Sequence, residues 1–384
     1  MNDNPHICFI SPWLYRYIEQ EDGKASGGAE RQQHLIASEL RERGYDVSVI
    51  VGDFGQPERY EVDGFDLWKG CPTDVAGPRE MLNRVYQLRK TMKAVDADVY
   101  YVRGGPRLHF VTLLLAKSLG KDRLFCIAND SDVDPEYLER RYGRAFTKLY
   151  LRSIGETEYL VAQTERQRAR IREQVGVDPT VIPNGYDLPP RSELLEQDDR
   201  EYVLWIGTSD RDKKKPLRLL ELADSLPEEE FVMVCQQESS DAFYAELAGI
   251  VEDRPNMEFV PGVAPDAIHD YYREASLLVN TSDYEGFPNT FLEAWRYAVP
   301  VVSQRFSLDV FEEGIGIESG SMKRLVEDVG RLQRDVDERR EMGERARAYV
   351  EEHYQLEAVV DRYEEVLNGT RERGKSKSVV SSSD

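Results

Sequence analysis

The sequence predicts an α/β fold made of two doubly wound domains, each with a parallel sheet. Three observations lead to this prediction. Residues 6–51 show the pattern of buried strand, glycine-containing turn, amphipathic helix and second strand, and a similar unit begins at residue 202. The chain has 384 residues, of which 40% are hydrophobic, so it is long enough and apolar enough for two packed cores.

The first domain is predicted over residues 1–187. Gly27 and Gly28 lie in its first strand-to-helix turn, which is the place where open parallel sheets bind ligands. Strands are predicted over residues 6–11, 47–51, 98–103 and 124–128, with helices over residues 29–43 and 108–119.

An acidic loop follows the strand at residues 124–128 and contains overlapping Asp-x-Asp triplets. Carboxylates spaced in this way can hold a divalent metal against a diphosphate. Acidic loops usually serve only as caps and solvated turns. A metal site at Asp130 and Asp132 is therefore an alternative, and no metal is expected.

A basic stripe is predicted on a single helix over residues 139–152, where Arg141, Arg144, Lys148 and Arg152 would share one face. In a chain with a net charge of −22, such a stripe can face an anionic membrane surface or a polyprenyl phosphate. The alternative is a solvated face that is paired with local carboxylates.

The second domain is predicted over residues 188–352. The loop after its first strand is crowded with cations, among them Arg211, Lys213 and Lys214. Cations at a strand-to-helix turn can neutralise a departing diphosphate, although consecutive lysines can also form only a solvated loop.

The most informative stretch is residues 276–303, which has the pattern of buried strand, polar turn, short helix and second strand. Glu285 and Glu293 stand eight positions apart in it. Ionised carboxylates accept hydrogen bonds from neutral hydroxyl groups, such as those of a sugar. Either glutamate alone can also merely complement a helix dipole or stay solvated.

The residues between these glutamates indicate a seat for phosphate. Gly286 allows the backbone to approach a ligand, and Pro288 suits the first position of a helix. The free N–H groups of residues 289–291 would then point at an anion. Carboxylates on both sides of a phosphate seat indicate a ligand with a central diphosphate and a polyol at each end, and a sugar nucleotide is such a ligand.

These motifs resemble the donor site of the family 4 retaining glycosyltransferases, which have the GT-B fold of two Rossmann-like domains facing a central cleft. The likeness rests on the Glu-x7-Glu signature with EGFPN and AVPVV, on GGAE at residues 27–30 and on PNGYD at residues 183–187. It covers nearly the whole chain. It also implies a C-terminal helix, over residues 353–368, that crosses back to close the first domain.

The resemblance implies a role for each matching residue. Glu285 contacts the transferred sugar and Glu293 the ribose. The other donor-binding positions are a lysine of the cation loop and backbone groups around the diphosphate and the base, namely Gly27, Gly28, Lys213, Gly262, Val263, Gly286, Phe287, Asn289 and Thr290.

The chain departs from the family pattern at several positions. Thr208 stands where the family has an arginine, so Arg211 is expected to substitute for it. Lys213 and Lys214 both fit the family's lysine, and the spacing to Pro216 favours Lys214. The expected catalytic residues are therefore Glu285, Lys214 and Arg211.

On the acceptor side, many members of the family carry a functional histidine that this chain lacks. Tyr101 and Arg103 occupy one of the corresponding motifs, and Asn129 and Asp130 occupy the other. Arg103, Asn129 and Asp130 are the acceptor-side residues that the resemblance implies. Ala298 also replaces the glycine that usually precedes the Val-Pro-Val strand.

The implied activity is that of a hexosyltransferase. It would move a sugar from a UDP- or GDP-sugar, with retention of anomeric configuration and without metal or cofactor. The acceptor would be a glycan or a lipid-linked or polyprenyl-phosphate-linked saccharide. The alternatives are an epimerase or phosphorylase on the same fold, a non-catalytic module that binds nucleotide sugars, and a metal-dependent transferase that uses Asp130 and Asp132.

Composition sets further limits. The net charge of −22 opposes binding to nucleic acid, and 13 lysines against 37 arginines in so acidic a chain resemble proteins of salt-loving organisms. Four isolated cysteines and the lack of a long apolar run predict a cytoplasmic protein. The basic stripe over residues 139–152 adds the expectation of peripheral contact with the inner face of the membrane. Residues 369–384 are predicted to be disordered.

Overall fold

The computed structural model describes residues 4–19, 28–71, 78–237, 242–263, 267–283, 288–306 and 308–380. Four predicted site residues, Gly27, Glu285, Gly286 and Phe287, lie outside this part of the chain. The described chain divides into two compact units. The first extends to Gly185 and resumes at Leu356, and the second is Tyr186–Gln355. The boundaries predicted from the sequence were residues 187 and 353.

The first unit contains one eight-stranded sheet. Its strands are β1 (Ile7–Ile10), β2 (Val47–Gly52), β3 (Arg59–Val62), β4 (Phe65–Cys71), β5 (Val99–Arg103), β6 (Asp122–Cys126), β7 (Tyr159–Ala162) and β8 (Thr180–Val181). They follow the order β3-β4-β2-β1-β5-β6-β7-β8, and every neighbouring pair is parallel except β3 and β4. The central strands β1, β2 and β5 are buried along their whole length because helices cover both faces of the sheet.

Helices pack on both faces of this sheet. They are α1 (Leu14–Ile18), α2 (Gly28–Glu42), α3 (Pro78–Val95), α4 (Pro106–Leu119), α5 (Pro135–Tyr142), α6 (Arg144–Gly155) and α7 (Glu165–Val175). Helix α2 buries Ile36 and Leu40 against one face. Helices α3, α4 and α6 bury Leu88, Leu115 and Tyr150 against the other.

The single helix predicted over residues 139–152 is in fact two helices. Gly143, which separates α5 from α6, has a φ of 85°. This backbone conformation is favourable only for glycine, and it ends a helix. Arg141 therefore lies on α5, whereas the other three basic residues of the predicted stripe lie on α6.

The second unit contains a six-stranded sheet in which all neighbouring strands are parallel. Its strands are β9 (Tyr202–Thr208), β10 (Phe231–Gln236), β11 (Met257–Pro261), β12 (Ala275–Asn280), β13 (Val301–Ser303) and β14 (Gly316–Glu318), in the order β11-β10-β9-β12-β13-β14. Its helices are α8 (Leu217–Ser225), α9 (Ala242–Glu252), α10 (Ile268–Glu274), α11 (Asn289–Arg296), α12 (Met322–Arg334) and α13 (Val336–His353).

The last helix, α14 (Leu356–Val380), belongs to the first unit. It adds Val359, Val360 and Tyr363 to the core beneath α2. Arg43 fixes it from outside by donating to the carboxylates of Asp361 at 2.5 Å and Glu364 at 2.7 Å. The helix continues beyond residue 368, where a disordered tail was predicted. Within the described ranges, no helix is both long enough and apolar enough to cross a bilayer.

Candidate functional site

Each sheet has one point where the strand order reverses. In the second sheet β9 and β12 are neighbours, and the chain continues outward from them in opposite directions. In the first sheet the same relation holds for β1 and β5. Loops that leave the carboxyl ends of two such strands diverge and leave a crevice in which ligands bind. A ligand site is therefore expected at these two points.

The cation loop follows β9 at this point of the second sheet. Asp210 organises it, because its side chain accepts hydrogen bonds from the backbone N–H groups of Asp212 and Lys213, both at 2.8 Å. Burial alone would raise the pKa of Asp210, but these backbone donors outweigh it and lower the pKa. The loop is thus an ordered turn in which Lys215 has a positive φ of 51°.

Thr281, directly after β12, holds the cation loop in place. Its hydroxyl accepts a hydrogen bond from the indole of Trp205 at 2.8 Å and donates to the carbonyl of Lys214 at 2.7 Å. The side chain is fully buried. The carboxyl ends of β9 and β12 are therefore tied together by one threonine.

Asp283 lies at the centre of a cluster of cations. The guanidinium of Arg218 donates to its carboxylate at 2.6 Å and to the carbonyl of Thr281 at 2.8 Å. Lys215 and Arg305 approach the same carboxylate at 3.9 and 3.8 Å. The hydrogen bond from Arg218 lowers the pKa of Asp283, so this carboxyl is ionised at neutral pH. We call these four residues the Asp283 cluster.

The Asp283 cluster has a positive net charge. Three cations face a single carboxylate, so the cluster carries an excess of positive charge. Asp283 is only two residues from Glu285, at the edge of the stretch from which the donor site was predicted. Cations in such a crevice stabilise a diphosphate more strongly than the same cations do in bulk water.

The cations selected from the sequence have other neighbours. Arg211 forms an ion pair with Glu246 of α9 at 2.9 Å, and its guanidinium lies over the ring of Phe243 at 3.7 Å. Lys213 is exposed to solvent, and the backbone of Lys214 is bound by Thr281. Lys215, a described residue of the same loop, approaches the carboxylate of Asp283.

The helix after the predicted phosphate seat is α11. It begins at Asn289, one residue later than predicted, with Pro288 in the N-cap position. Asn289 and Thr290 are half-buried at its first turn. The N–H of Phe291, which was expected to be free, donates to the carbonyl of Pro288 at 3.0 Å. The first turn therefore offers fewer amide donors than predicted.

Glu293 is the residue that was predicted to bind the ribose. It is buried on α11 and forms an ion pair with the equally buried Arg296 at 3.4 Å. Removing one partner of such a pair leaves an uncompensated buried charge, which is strongly destabilising. Glu293 thus has a structural role on α11.

Gly262 and Val263, the predicted base contacts, follow β11 at the same edge of the sheet. A Cβ on Gly262 would lie 2.8 Å from the side chain of Gln236 at the end of β10. The carbonyl of Gln236 accepts from the N–H of Ser209 at 3.1 Å. Gln236 thus contacts the ends of the loops after β9 and β11, and the lack of a Cβ at residue 262 allows its side chain this close approach.

In the first unit, Gly28 is the opening residue of α2, which follows β1. The next turn of α2 is fixed by two buried glutamines. Gln33 donates to the hydroxyl of Ser11 at 3.1 Å, and Gln32 exchanges two hydrogen bonds with the backbone of Gly185, at 3.0 and 2.9 Å. The start of α2 is therefore positioned rigidly at the carboxyl end of β1.

Arg103, predicted on the acceptor side, is buried at the end of β5. Its guanidinium donates to the side chain of Asn184 at 2.5 Å and to the sulfur of Cys126 at 3.4 Å. Burial alone would lower its pKa, but the neighbouring Cys126 and Tyr101 raise it, so Arg103 stays charged. These contacts indicate that Arg103 ties β5 to the end of the first unit.

Asn129 and Asp130 also bind other protein groups. Asn129 caps a short helical turn by accepting from the N–H of Ser131 at 3.1 Å. Asp130 forms ion pairs with Arg166 and, at 3.7 Å, with Arg170. Two of the predicted acceptor-side residues are therefore part of the local fold.

Asp132, the second acid of the Asp-x-Asp motif, is buried. It accepts from the N–H groups of Ala128 at 3.1 Å and Asn129 at 3.0 Å. Burial raises its pKa to about 6 in spite of these donors. Asp130 and Asp132 thus face different partners, and within the described ranges no three acidic, histidine or cysteine side chains are grouped closely enough to hold a metal ion.

Two family models match consecutive parts of the chain. The model described as Glycosyltransferase Family 4 matches residues 26–189, and the one described as Glycosyl transferases group 1 matches residues 190–349. The two matches together span residues 26–349, and the chain is a glycosyltransferase.

Individual proteins of known sequence or structure are also similar to the chain. The glycosyltransferase is 23% identical over 301 residues to an amylovoran biosynthesis glycosyltransferase of Erwinia amylovora. The aligned region covers 76% of this chain and 81% of that protein. A sucrose-phosphate synthase of Thermosynechococcus elongatus matches with a TM-score of 0.75 and 16% identity, over 96% of this chain and 100% of that one. TarM of S. aureus, solved in a complex that contains UDP and alpha-GlcNAc-glycerol, matches with a TM-score of 0.72 and 12% identity, over 95% and 100%. The fold of this glycosyltransferase is GT-B.

The sequence prediction missed the Asp283 cluster of this glycosyltransferase. Lys215 belongs to the lysine run that was noticed, but its neighbours were preferred. Arg218 is the one charged residue in the leucine-rich first turn of α8, and this isolated charge was the available signal. Arg305 follows the buried strand β13, just as the cation loop follows β9.

Proposed function

We propose that the protein transfers a hexosyl group from a nucleotide sugar to a hydroxyl of a saccharide acceptor, with retention of anomeric configuration and without a metal ion. One observation carries this proposal. The Asp283 cluster places surplus positive charge at the switch point of the second sheet, beside the stretch that holds Glu285. A diphosphate leaving group needs positive charge of this kind when no metal supplies it.

The cluster acts on the leaving group. As the bond between the sugar and the diphosphate breaks, negative charge grows on the phosphate oxygens. Lys215, Arg218 and Arg305 stabilise that charge, and each charge-assisted hydrogen bond contributes about 1.5–3 kcal/mol. Asp283 keeps the guanidinium of Arg218 in one orientation, so little reorganisation is needed during the reaction.

The other predicted residues fill the remaining roles of the donor site. Glu285 accepts hydrogen bonds from hydroxyl groups of the transferred sugar. Glu293, which is paired with Arg296, accepts hydrogen bonds from hydroxyl groups of the ribose. The backbone at residues 262–263 packs on the base. Lys214 and Arg211 lie on the same loop as Lys215 and add to its positive charge. The proton of the acceptor hydroxyl goes to the donor phosphate, so no protein base is needed.

Two similar proteins indicate which donors and acceptors to test first. TarM was solved with UDP, so UDP-sugars are the first donors to test, followed by GDP-sugars. The relative from Erwinia amylovora takes part in amylovoran biosynthesis. We therefore propose a growing glycan, free or linked to a lipid or polyprenyl phosphate, as the acceptor.

Thermal unfolding with a panel of nucleotide sugars tests the donor site. The assay is run at low salt and in molar salt, because the acidic surface is typical of salt-loving proteins. We expect one UDP- or GDP-sugar to raise the melting temperature of the wild type, and Arg218→Ala to lose this shift. If no nucleotide sugar stabilises the wild type at either salt concentration, the proposal is wrong.

Product analysis then tests the reaction. With the stabilising donor and a panel of saccharide acceptors, we expect a product whose anomeric proton shows the configuration of the donor. Conversion of the donor without an acceptor would indicate an epimerase, and consumption of inorganic phosphate would indicate a phosphorylase. Donor binding without turnover on every acceptor would indicate a non-catalytic module.

Chelation tests independence from metal. Asp130 is paired with Arg166 and Arg170, and Asp132 with backbone amides, so neither carboxylate is set to hold a metal against the diphosphate. We expect EDTA to leave turnover within about twofold of its initial value, with added Mg²⁺ as the matched control. Loss of activity in EDTA that Mg²⁺ restores would favour the metal-dependent alternative.

A further inference from the structure

Three helices of the first unit have a positive net charge, opposite in sign to that of the whole chain. The whole chain has a net charge of −22, yet the sequences of α3, α4 and α6 together contain ten Lys and Arg residues and a single Glu. Such a local excess of basic residues in an acidic protein indicates a surface that meets an anionic partner.

These helices lie side by side on one face of the first sheet. Helix α3 contacts α4, and α4 contacts α6. All three bury apolar residues in the same core, including Leu88, Leu115 and Tyr150. Their opposite sides consequently form one continuous surface, which we call the three-helix face.

The three-helix face also exposes large apolar side chains. Leu82 is 72% exposed, Tyr86 65%, Leu149 55% and Leu114 50%. Single exposed hydrophobic residues are normal on a protein surface. Here, however, they occur on three neighbouring helices and alternate with cations. A grouped apolar surface of this kind marks an interaction site.

Helix α3 shows the alternation most clearly. Leu82, Tyr86, Arg89 and Lys93 follow one another at spacings of four, three and four residues, which places them in one line along the helix. Leucine and tyrosine therefore lie at one end of the line and the two cations at the other. A helix that lies flat in a membrane interface has this mixture of apolar and basic residues.

Carboxylates compensate only part of the positive charge. Glu156 is shared by Lys117 and Arg152, at 3.1 Å from each, and Glu139 lies 3.9 Å from Arg144. For four other cations of the face, no carboxylate of the described residues lies within ion-pair distance: Arg89, Lys90, Lys93 and Lys148. These four supply surplus charge for an external partner.

We propose that the three-helix face docks on the surface of an anionic lipid bilayer. The cations attract the acidic headgroups, and the exposed leucine and tyrosine side chains enter the boundary between headgroups and acyl chains. The surface differs from the stripe predicted over residues 139–152, because it centres on α3 and includes α4. The inference deepens the proposed function, since a lipid-linked acceptor is presented at such a surface.

Co-sedimentation with vesicles tests the proposal. The full chain is mixed with vesicles of phosphatidylglycerol and phosphatidylcholine, and separately with pure phosphatidylcholine. We expect the wild type to pellet only with the anionic vesicles. A charge variant, Arg89→Glu with Lys93→Glu and Lys148→Glu, is expected to bind at least tenfold more weakly at low salt, because headgroup attraction becomes repulsion.

A second variant separates apolar contact from charge. Leu82→Ser with Tyr86→Ser and Leu149→Ser keeps all cations but removes the apolar contact. Molar salt screens the charges. Under this condition we expect the variant to bind vesicles less than one tenth as strongly as the wild type does. The matched control is a charge reversal on α12 of the second unit, Lys323→Glu with Arg324→Glu and Arg334→Glu. It should pellet with the anionic vesicles as the wild type does.

Vesicle binding does not depend on turnover, so it can fail independently of the proposed function. Stabilisation by the nucleotide sugar is measured for every variant, and it should equal that of the wild type. The proposal is overturned if the wild type does not pellet with anionic vesicles, or if the two three-helix variants pellet as the wild type does. Binding to RNA or to an acidic polypeptide without binding to vesicles also overturns it.

Discussion

The guanidinium of Arg218 lies between Asp283 and Thr281, with Nη1 2.6 Å from the carboxylate of Asp283 and 2.8 Å from the carbonyl of Thr281. This arrangement fixes a cation at the carboxyl end of β12. We expect Arg218→Ala and Lys215→Ala each to lower kcat/KM by roughly 10- to 100-fold, since each removes one charge-assisted contact to the leaving diphosphate.

Steady-state kinetics with the nucleotide-sugar donor measures this effect. The control is Arg254→Ala, which removes an arginine of the same unit that is paired with Asp224 at 2.8 Å. It should keep kcat/KM within about twofold, because surface ion pairs contribute little. Wild-type kinetics in both Arg218→Ala and Lys215→Ala would remove the Asp283 cluster from the catalytic site.

Thr281 is expected to be important for stability. Thr281→Val leaves the indole N–H of Trp205 and the carbonyl of Lys214 without their present buried partner. We expect the free energy of unfolding of the second unit to fall by about 1–3 kcal/mol. Urea denaturation monitored by tryptophan fluorescence measures it. Ser225→Ala, at the exposed end of α8, is the control and should cost less than about 0.5 kcal/mol.

Asp132 should make stability depend on pH. Burial raises its pKa to about 6, above the value of about 3.9 in an unfolded chain. Between pH 4 and 6 the folded state therefore holds more protons than the unfolded state, so stability falls as the pH rises through this window and is constant above it.

Asp132→Asn removes this dependence. From pH 4 to pH 7, we expect the difference in unfolding free energy between variant and wild type to move by about 2–3 kcal/mol in favour of the variant. Urea denaturation at several pH values measures it. A difference that does not change with pH would contradict the assignment.

Gly104 should tolerate no side chain. Its φ is 59°, and a Cβ there would lie 2.7 Å from the Cβ of Ala128. Gly120 has a similar φ of 69° but open space around the added Cβ. We expect Gly120→Ala to cost about 1–2 kcal/mol through backbone strain and Gly104→Ala about 1–3 kcal/mol more through the clash. Equal melting temperatures for the two variants would show that the loop at Ala128 relaxes.

The elements that local patterns specify could be predicted from the sequence. The unit β1–α2–β2 was placed to within two residues because apolar runs and glycines mark its strands and turns. Two further features had equally local signals, which the prediction did not use. They are the helix break at Gly143 and the hairpin turn at Asp63 and Gly64, where φ is 49° and 74°.

The Asp283 cluster could not be predicted in this way. Lys215 and Arg218 follow β9, whereas Asp283 follows β12 and Arg305 follows β13. They meet because these three strands are neighbours in the sheet. Sheet order is a property of the whole domain, and no short motif states it. The burial of Arg103 likewise depends on Asn184 and on Cys126, which belong to different parts of the chain.

The placement of α14 has a consequence for biosynthesis. Because Val359, Val360 and Tyr363 complete the core beneath α2, the ribosome must finish residues 186–355 before the N-terminal unit can close. The apolar core of the first unit therefore stays partly uncovered while the second unit is synthesised. A variant that lacks α14 is expected to expose the core of the first unit, which chaperones and proteases would then recognise.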